Sequence, residues 1–264
     1  MIAKNLLNQD FPKEMVVHGD AEIATKEIVE ILVQTAEKEF LQSIRPVGSQ
    51  TTFPWNVTVV ENPMVNAYCA PGGTIVVFSG LIDFCVEAEH QRKIDNAAAA
   101  ICGVLAHEIS HGVLRHGMET MSWMPPLLLL ILSIQVFLIS IGLGPDETRF
   151  LTRIFQEIIN FFLQLPHSRS VESEADLLGS ELLLKSGFPV EDYPRVLSLL
   201  QNGNSEWFST HPAPERRALA IQKHLQEATT QPDSIVPVVR TDLVESIRDA
   251  HYRFVRFSHS RSVR

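Results

Sequence analysis

A long uncharged stretch, 120–145, places the strongest constraint on how this chain of 264 residues can fold. A helix over 124–144 would be about 31 Å long, roughly the thickness of the hydrocarbon core of a bilayer. The adjacent Pro125 and Pro126 suit the start of a helix. Because a buried helix in a soluble domain is seldom apolar on every side, we predict that this segment inserts into a membrane.

A second apolar pattern, 150–165, follows, but it contains Arg153, Glu157 and Asn160. Because charges inside a bilayer are costly, we predict an amphipathic helix that lies at the membrane interface or packs on the rest of the protein. Together the two segments predict a helical hairpin over 120–166. The pattern is compatible with a first arm that spans the bilayer and with one that only dips into it.

The sequence His107-Glu108-Ile109-Ser110-His111 precedes the hairpin, within an alanine-rich segment, 96–116, that we predict to be helical. Two histidines four residues apart share one face of a helix, so both can bind one metal ion. Glu108 can take a proton from a water molecule without binding the metal. We therefore predict one Zn2+ per chain, with His107 and His111 as ligands and Glu108 as the catalytic base.

A third ligand is expected in Glu172-Ser173-Glu174-Ala175-Asp176, on a second predicted helix, 170–185. Glu172 and Asp176 share a face, so one carboxylate can bind zinc while the other accepts a hydrogen bond from a ligand histidine. The alternative is an acidic first turn that only complements the helix dipole. His116 lies about 140° around the helix from His111, so we predict a supporting role for it rather than ligation.

The position of the hairpin between these two motifs limits its topology. Ligands from both motifs must come within about 2 Å of one zinc ion. A single complete crossing of a bilayer would leave His111 and Glu172 on opposite sides. The number of crossings between them must therefore be even.

These motifs resemble the HtpX and CAAX-prenyl-protease superfamily of gluzincins, and within it the Oma-type mitochondrial inner-membrane metalloendopeptidases. The resemblance covers 16–227 and is carried by the histidine motif, by the acidic motif with Gly179, and by Thr210-His211-Pro212 with Arg217. Further local sequences that fit this subgroup are Asn66-Ala67-Tyr68, Pro71-Gly72-Gly73 and Leu165-Pro166-His167-Ser168-Arg169.

The resemblance implies an α/β (α+β) fold that is mostly helical and zincin-like, with a small sheet and the hydrophobic hairpin as an insertion. It also implies that His211 stabilises the oxyanion of the tetrahedral intermediate. Arg217 would hold the local structure or pair with an acidic neighbour. We assign Glu172 as the third zinc ligand, and Asp176, Arg217 and His116 as residues that support the ligands.

The function that the resemblance implies is a zinc-dependent endopeptidase of the mitochondrial inner membrane. Its substrates would be membrane or membrane-tethered proteins in quality control, including dynamin-like fusion GTPases. One alternative is a bacterial-type periplasmic or inner-membrane quality-control protease with the same chemistry. Another is a non-catalytic zinc-binding membrane adaptor, although the intact Glu108 argues against it because a structural zinc site needs no base. The sequence also admits a homo-oligomer.

An endopeptidase must hold an extended substrate, and the edge of a sheet does this by backbone pairing. We predict a substrate-binding strand at Thr74, Ile75, Val76 and Val77. The alternative is that this strand is buried in the core.

The charge of the chain excludes a general nucleic-acid binder, since 31 acidic residues outnumber 22 basic ones and give a net charge of −9. Three cysteines without a paired spacing predict no disulfide framework. Neither a secretory signal nor a mitochondrial presequence is recognisable in 1–12. The predicted organisation is an N-terminal extension over 1–15, a peptidase domain over 16–227, and a basic tail over 228–264 that is solvated or surface-bound.

Overall fold

The fold is that of a computed structural model, which describes residues 17, 19–41, 55–70, 72–117, 122, 124–142, 144–202, 207, 211, 217–230 and 240–262. The predicted N-terminal extension, 1–15, lies outside these residues, as do Thr210 and Pro212.

Helices dominate the structure, and three short strands accompany them. In chain order the elements are α1 (Asp20–Ala36) with a π-helical turn (Glu37–Leu41), β1 (Asn56–Val60), β2 (Ala67–Ala70), β3 (Thr74–Phe78), α2 (Ser79–His90), α3 (Ala97–Val113), α4 (Met124–Ser140), α5 (Pro145–Ser186), α6 (Asp192–Asn202), α7 (Arg217–Thr230) and α8 (Thr241–Ser262). The predicted fold class, a mostly helical α/β (α+β) domain with a small sheet and an inserted helical hairpin, is confirmed.

The sheet has β3 at its centre, in the order β1-β3-β2. β1 pairs with β3 in parallel, with Asn56 opposite Thr74, and β2 pairs with β3 antiparallel, with Ala67 opposite Val77. All residues of β3 are buried, which suits a strand of β-branched and aromatic residues that has a partner on both sides. β2 is left at the edge of the sheet, packed on α3.

The central helix is α3, whose residues 97–110 are all buried. Its start is capped by Asn96, whose side chain accepts a hydrogen bond from the Ala99 N–H at 3.1 Å. Small alanine side chains let α1, α2, α5, α6 and α8 approach it closely. The histidine motif occupies the last turns of this helix and therefore lies at the centre of the domain.

Helix α5 corrects the prediction of separate helices over 150–165 and 170–185, because it runs unbroken for 42 residues. It begins at Pro145, a favourable first residue, and ends before Gly187, whose φ of 74° is in the left-handed region that favours glycine. The helix packs on both α4 and α3. Such tertiary contacts, rather than local propensity, support a helix of this length.

Helix α4 and the beginning of α5 form the predicted hairpin, joined through a turn at 141–142. Its large apolar side chains are exposed: Leu129, Leu130, Leu132, Val136, Phe137, Ile139, Ile141, Phe150, Ile154 and Phe155. Within the part of the chain that the structure describes, no helix has both the length and the apolarity that a membrane crossing requires.

Helix α8 corrects the prediction that the C-terminal region is a tail outside the core. The helix packs on α1, α2 and α3, and it buries Val244, Ile247, Ala250 and His251. The basic composition of this region obscured an apolar face at helical spacing. The folded domain therefore extends past the predicted boundary at 227.

His251 is fully buried where α8 contacts α1. The Thr25 hydroxyl donates to Ala21 O at 2.7 Å, so His251 Nε2, 3.3 Å away, donates to the Thr25 oxygen. Nδ1 is then the unprotonated nitrogen, and it has no hydrogen-bond partner among the described residues. Burial lowers the pKa of His251 to about 4.

We expect His251 to make the stability of the fold depend on pH. Because its folded pKa lies below the ordinary value of 6.5, the unfolded chain binds more protons as the pH falls between those two values. The contribution of His251 to the free energy of unfolding should therefore fall by about 2 kcal/mol between pH 7 and pH 5. In urea unfolding, His251→Gln should lack this loss because glutamine keeps a donor but cannot titrate.

Gln222→Asn, at an exposed residue of α7 that does not titrate, is the control and should keep the pH dependence of the wild type. The other histidines contribute equally to the pH dependence of the wild type and of His251→Gln. The difference between these two chains therefore isolates the contribution of His251. The same pH dependence in both would contradict the prediction.

Candidate metal centre

His107 and His111 lie one turn apart on α3, and their side chains converge. Nε2 of His107 is 3.0 Å from Nε2 of His111, and the two rings meet edge to face. His107 is fully buried, whereas His111 is slightly open to solvent. Both imidazoles thus point the same nitrogen toward one place, as the spacing predicted.

Glu172, on α5, comes after the hairpin in sequence, and its side chain reaches the same place. Its carboxylate oxygens lie 3.4 Å from His107 Nε2 and 3.5 Å from His111 Nε2. Gly179 makes this approach feasible, because a Cβ there would come within 3.2 Å of the His107 backbone nitrogen. The two motifs that the hairpin separates in sequence are therefore together in the fold.

Asp176 lies one turn after Glu172 and contacts the other nitrogen of His107, with Oδ1 3.0 Å from Nδ1. Arg217 donates two hydrogen bonds of 2.6 Å to this carboxylate, from Nε to Oδ2 and from Nη2 to Oδ1. Burial raises the pKa of Asp176, but these hydrogen bonds and His107 lower it to about 2. Asp176 is therefore ionised and can accept a hydrogen bond from His107 Nδ1.

Arg217, the first residue of α7, also contacts Glu172, with Nη1 3.0 Å from Oε2. Burial lowers the pKa of Arg217, but its hydrogen bonds to Asp176 and the charge of Glu172 raise it above its ordinary value. Its charge is thus shared between Glu172 and Asp176.

His116 lies beside His111 rather than among the converging atoms. Its Nδ1 is 2.9 Å from His111 Nδ1, and its Nε2 is 3.5 Å from Glu174. Arg115, with a left-handed φ of 61°, turns the chain back at the end of α3. The helix therefore ends at Val113, before the predicted end at 116, and the turn brings His116 to His111.

Glu108 and His211 face each other across the centre, with Oε1 3.2 Å from Nε2. The backbone N–H of Cys69, on β2, donates to the second oxygen of Glu108 at 2.8 Å. Trp207 stacks on the His211 ring, with centroids 4.0 Å apart and an angle of 19°. Its carbonyl also accepts the His211 backbone N–H at 2.8 Å. Both side chains are therefore held in place by neighbours.

One ligand-type atom from each of His107, His111, Glu172 and His211 lies within 4.8 Å of all the others. Imidazole and carboxylate donors of this kind suit zinc and other transition metals. Burial lowers the pKa of His107, yet its hydrogen bonds to Asp176 and Glu172 raise it to about 9. Burial and the neighbouring cationic groups lower the pKa of His111 well below its ordinary value. The two imidazoles and the carboxylate converge on one place, so the residues present fit a metal cofactor.

Comparison with known proteins assigns this arrangement to a family. The pattern of Peptidase family M48 matches residues 33–225. This chain belongs to peptidase family M48. The matched part of the M48 chain contains every residue of the metal centre described above.

Individual relatives carry names that agree with this family. The M48 chain is 33% identical over 178 residues to the mitochondrial metalloendopeptidase OMA1 of Arabidopsis thaliana. These residues cover 66% of this chain and 32% of the relative. The corresponding protein of Schizosaccharomyces pombe is 29% identical over 221 residues, or 80% of this chain and 59% of the relative. The β-barrel assembly-enhancing protease of Yersinia pestis is 31% identical over 176 residues, or 62% of this chain and 33% of the relative. The M48 chain thus spans from about a third to three-fifths of the length of these relatives.

The structure contradicts one site prediction, that an extended substrate pairs with Thr74, Ile75, Val76 and Val77. These residues form β3, whose two edges are already paired with β1 and β2. A short β-branched sequence is equally typical of a central strand and of an edge strand, so composition could not separate them. The edge of the sheet next to the metal centre of the M48 chain belongs to β2.

Three contacts of the metal centre were not predicted from the sequence of the M48 chain. The Tyr193 hydroxyl donates to Asp176 at 3.0 Å, Trp207 stacks on His211, and Cys69 binds Glu108 through its backbone. An isolated aromatic residue in an amphipathic segment predicts only core packing, and a backbone N–H leaves no trace in the sequence. Only long-range packing reveals these residues.

Proposed function

We propose that this chain is a zinc metalloendopeptidase. The observation that carries the proposal is the convergence of His107 Nε2, His111 Nε2 and the Glu172 carboxylate beside Glu108. Two imidazoles and one carboxylate are the protein ligands of a known class of catalytic zinc site, which keeps its fourth position open. We propose one Zn2+ per chain, held by these three residues.

When bound, zinc would supply a Lewis acid that polarises the scissile carbonyl and lowers the pKa of water. Glu108 would act as the general base. Because the Cys69 N–H holds one of its oxygens, the other faces His211 and the ligand atoms. That oxygen takes the proton of the attacking water and later delivers it to the amine of the leaving peptide.

His211 would donate a hydrogen bond to the substrate oxygen as that atom gains negative charge. Its Nε2 is also near enough to the other ligand atoms to bind the metal. We assign the donor role because a fourth protein ligand would close the position that a hydrolytic zinc site keeps open. The ring is held by the stacked Trp207 and by the Glu108 carboxylate, whose Oε1 lies 3.2 Å from Nε2.

The supporting residues would orient the zinc ligands. Asp176, held by Arg217, accepts from His107 Nδ1 and directs its Nε2 toward the metal. His116 would do the same for His111 through the contact between their Nδ1 atoms. Such partners of ligand histidines fix the tautomer and the ring orientation.

The substrate would bind to β2 as an added strand. β2 is paired on one side with β3, and the N–H of Cys69 points from its other side toward Glu108. A peptide paired along this edge would pass directly beside the general base and the metal ligands. Backbone pairing of this kind holds the substrate through main-chain hydrogen bonds and reads side chains only weakly.

The direct test is casein cleavage by the full chain loaded with Zn2+. We expect proteolysis that a chelator abolishes and that stoichiometric Zn2+ restores. The reason is that the metal is the group that would lower the pKa of the attacking water. Metal content measured on the same samples should follow activity. Proteolysis that continues after the metal has been removed would disprove a metalloendopeptidase.

For the cellular role, we propose quality control of membrane or membrane-tethered proteins at the mitochondrial inner membrane. The names of the OMA1 relatives and the exposed apolar hairpin support this role. A bacterial-type quality-control protease is the alternative that the Yersinia pestis relative favours. The non-catalytic adaptor is disfavoured by the way in which Glu108 is held beside the ligand atoms.

We further propose that the hairpin contacts the bilayer. Its exposed side chains include Leu129, Val136, Phe137 and Phe150, each more than 60% exposed. A patch of this kind on one projecting element is typical of a membrane or protein contact rather than of a free surface. A lipid surface is the occupant that suits the exposed apolar side chains of α4, which contains no charged residue.

Flotation with phosphatidylcholine vesicles tests the hairpin. Replacing both Val136 and Phe137 by Asp should weaken vesicle binding by at least about tenfold, because each removes an apolar side chain from the contact. Ile23→Asp changes an equally exposed residue on α1 and should float like the wild type. Equal flotation of all three chains, or no flotation of the wild type, would rule out this contact.

A further inference from the structure

The Tyr193 hydroxyl, on α6, lies where Asp176 meets His107. The hydroxyl donates to Asp176 Oδ1 at 3.0 Å and lies 3.4 Å from His107 Nδ1. Tyr193 is fully buried, and it belongs to none of the sequence motifs that mark the metal centre. A buried phenol between a carboxylate and an imidazole is more than a filler of the core, because both of its neighbours are polar groups of the site.

Packing fixes the position of this hydroxyl. The Tyr193 ring lies across Gly103 of α3, where a Cβ would come within 2.6 Å of the ring. One residue earlier, the Asp192 carboxylate accepts hydrogen bonds of 2.9 and 2.8 Å from the two backbone N–H groups that precede α3. Helix α6 is thus attached to α3 by its ring and by its first turn. The hydroxyl therefore cannot leave Asp176 without breaking these contacts.

Arg217 is not the only group that holds the Asp176 carboxylate, because Tyr193 also donates to it. The guanidinium binds both carboxylate oxygens, but it also contacts Glu172 and so serves two acidic side chains at once. Oδ1 is the oxygen that faces His107, and it accepts from Arg217 Nη2, Tyr193 and His107 together. The phenol adds a neutral donor to Oδ1 without adding charge to the pocket.

We propose that Tyr193 is a positioning residue of the metal centre. Its hydroxyl holds the Asp176 carboxylate so that His107 donates from Nδ1 and presents Nε2 to the metal. The inference rests on the proposed zinc site and adds to it a residue that neither binds the metal nor touches substrate. Partners of this kind contribute about 10–100-fold to metal affinity.

The test measures the Zn2+ affinity of the full chain by competition with a chelating dye. Four chains are compared: the wild type, Tyr193→Phe, Asp176→Asn and the double variant. Tyr193→Phe keeps the ring against Gly103 and removes only the hydroxyl, so we expect affinity about tenfold weaker than that of the wild type. Because Tyr193 acts through Asp176, the double variant should bind no more weakly than Asp176→Asn.

If Tyr193 had a purely structural role, Tyr193→Phe would lower the melting temperature of the zinc-free chain. Its effect on Zn2+ affinity would then be independent of Asp176→Asn. Tyr252→Phe, at a tyrosine of α8 that stacks edge to face on His90, is the control and should bind Zn2+ like the wild type. Equal affinity of Tyr193→Phe and the wild type overturns the inference, as does a double variant with fully additive losses. In both cases the zinc site remains. A wild type that binds no Zn2+ overturns the zinc site and the inference together.

Discussion

Replacing Glu108 by Gln is expected to lower kcat for peptide hydrolysis by about 10²–10⁴-fold, the range that a general base contributes. Glutamine has the size of glutamate and can still accept the Cys69 N–H, which reaches Glu108 at 2.8 Å. It cannot take a proton from water. The variant should therefore keep the wild-type fold and metal content and lose the chemical step alone.

Cleavage of a fluorogenic peptide, together with metal analysis of the same samples, checks this result. Glu87→Gln is the matched control, because Glu87 is an exposed glutamate of α2, and it should keep wild-type kcat. A Glu108→Gln chain with bound metal and undiminished proteolysis would show that the base lies elsewhere.

Replacing Glu172 by Ala is expected to remove metal binding and proteolysis together. Loss of a partner of a ligand histidine already costs about 10–100-fold in metal affinity, so loss of a ligand should exceed about 100-fold. The fold should survive, because Arg217 keeps its two hydrogen bonds to Asp176 and is not left as an unpaired buried charge.

Metal affinity and casein cleavage are measured on the same preparation, with circular dichroism to confirm the fold. Glu181→Ala is the control on the same helix, since Glu181 pairs with His224 rather than with a residue of the centre. It should change neither quantity. Normal affinity in Glu172→Ala would mean that another residue is the third ligand, and His211 is the group within 4.8 Å that could replace it.

The core of the metal centre was predictable because the members of each of its two motifs are close in sequence. His107 and His111 lie about one helical turn apart, as do Glu172 and Asp176, so helical periodicity alone places each pair on one face. The same periodicity separated His116 from the converging atoms. That the two faces meet was inferred from the chemistry of one metal ion, and the distances of 3.4 and 3.5 Å agree with it.

The predictions that failed concern how elements pair. Thr74 to Val77 were correctly placed in a strand, but their position at the centre of the sheet depends on β1 and β2, which come from other parts of the chain. The residues after 227 were predicted as a tail because they are basic. Their helix lies in the core because Val244, Ile247 and Ala250 find partners on α1, α2 and α3.

For this protein, residue type and local spacing were enough to identify the histidine and acidic motifs, the hairpin and the family resemblance. Each motif, and each arm of the hairpin, lies on one helix, where backbone geometry dictates which side chains are neighbours. The edge that faces Glu108, the core position of α8 and the Tyr193 contact with Asp176 emerged from the assembled fold. They depend on contacts between distant parts of the chain, and local periodicity carries no information about which faces will meet.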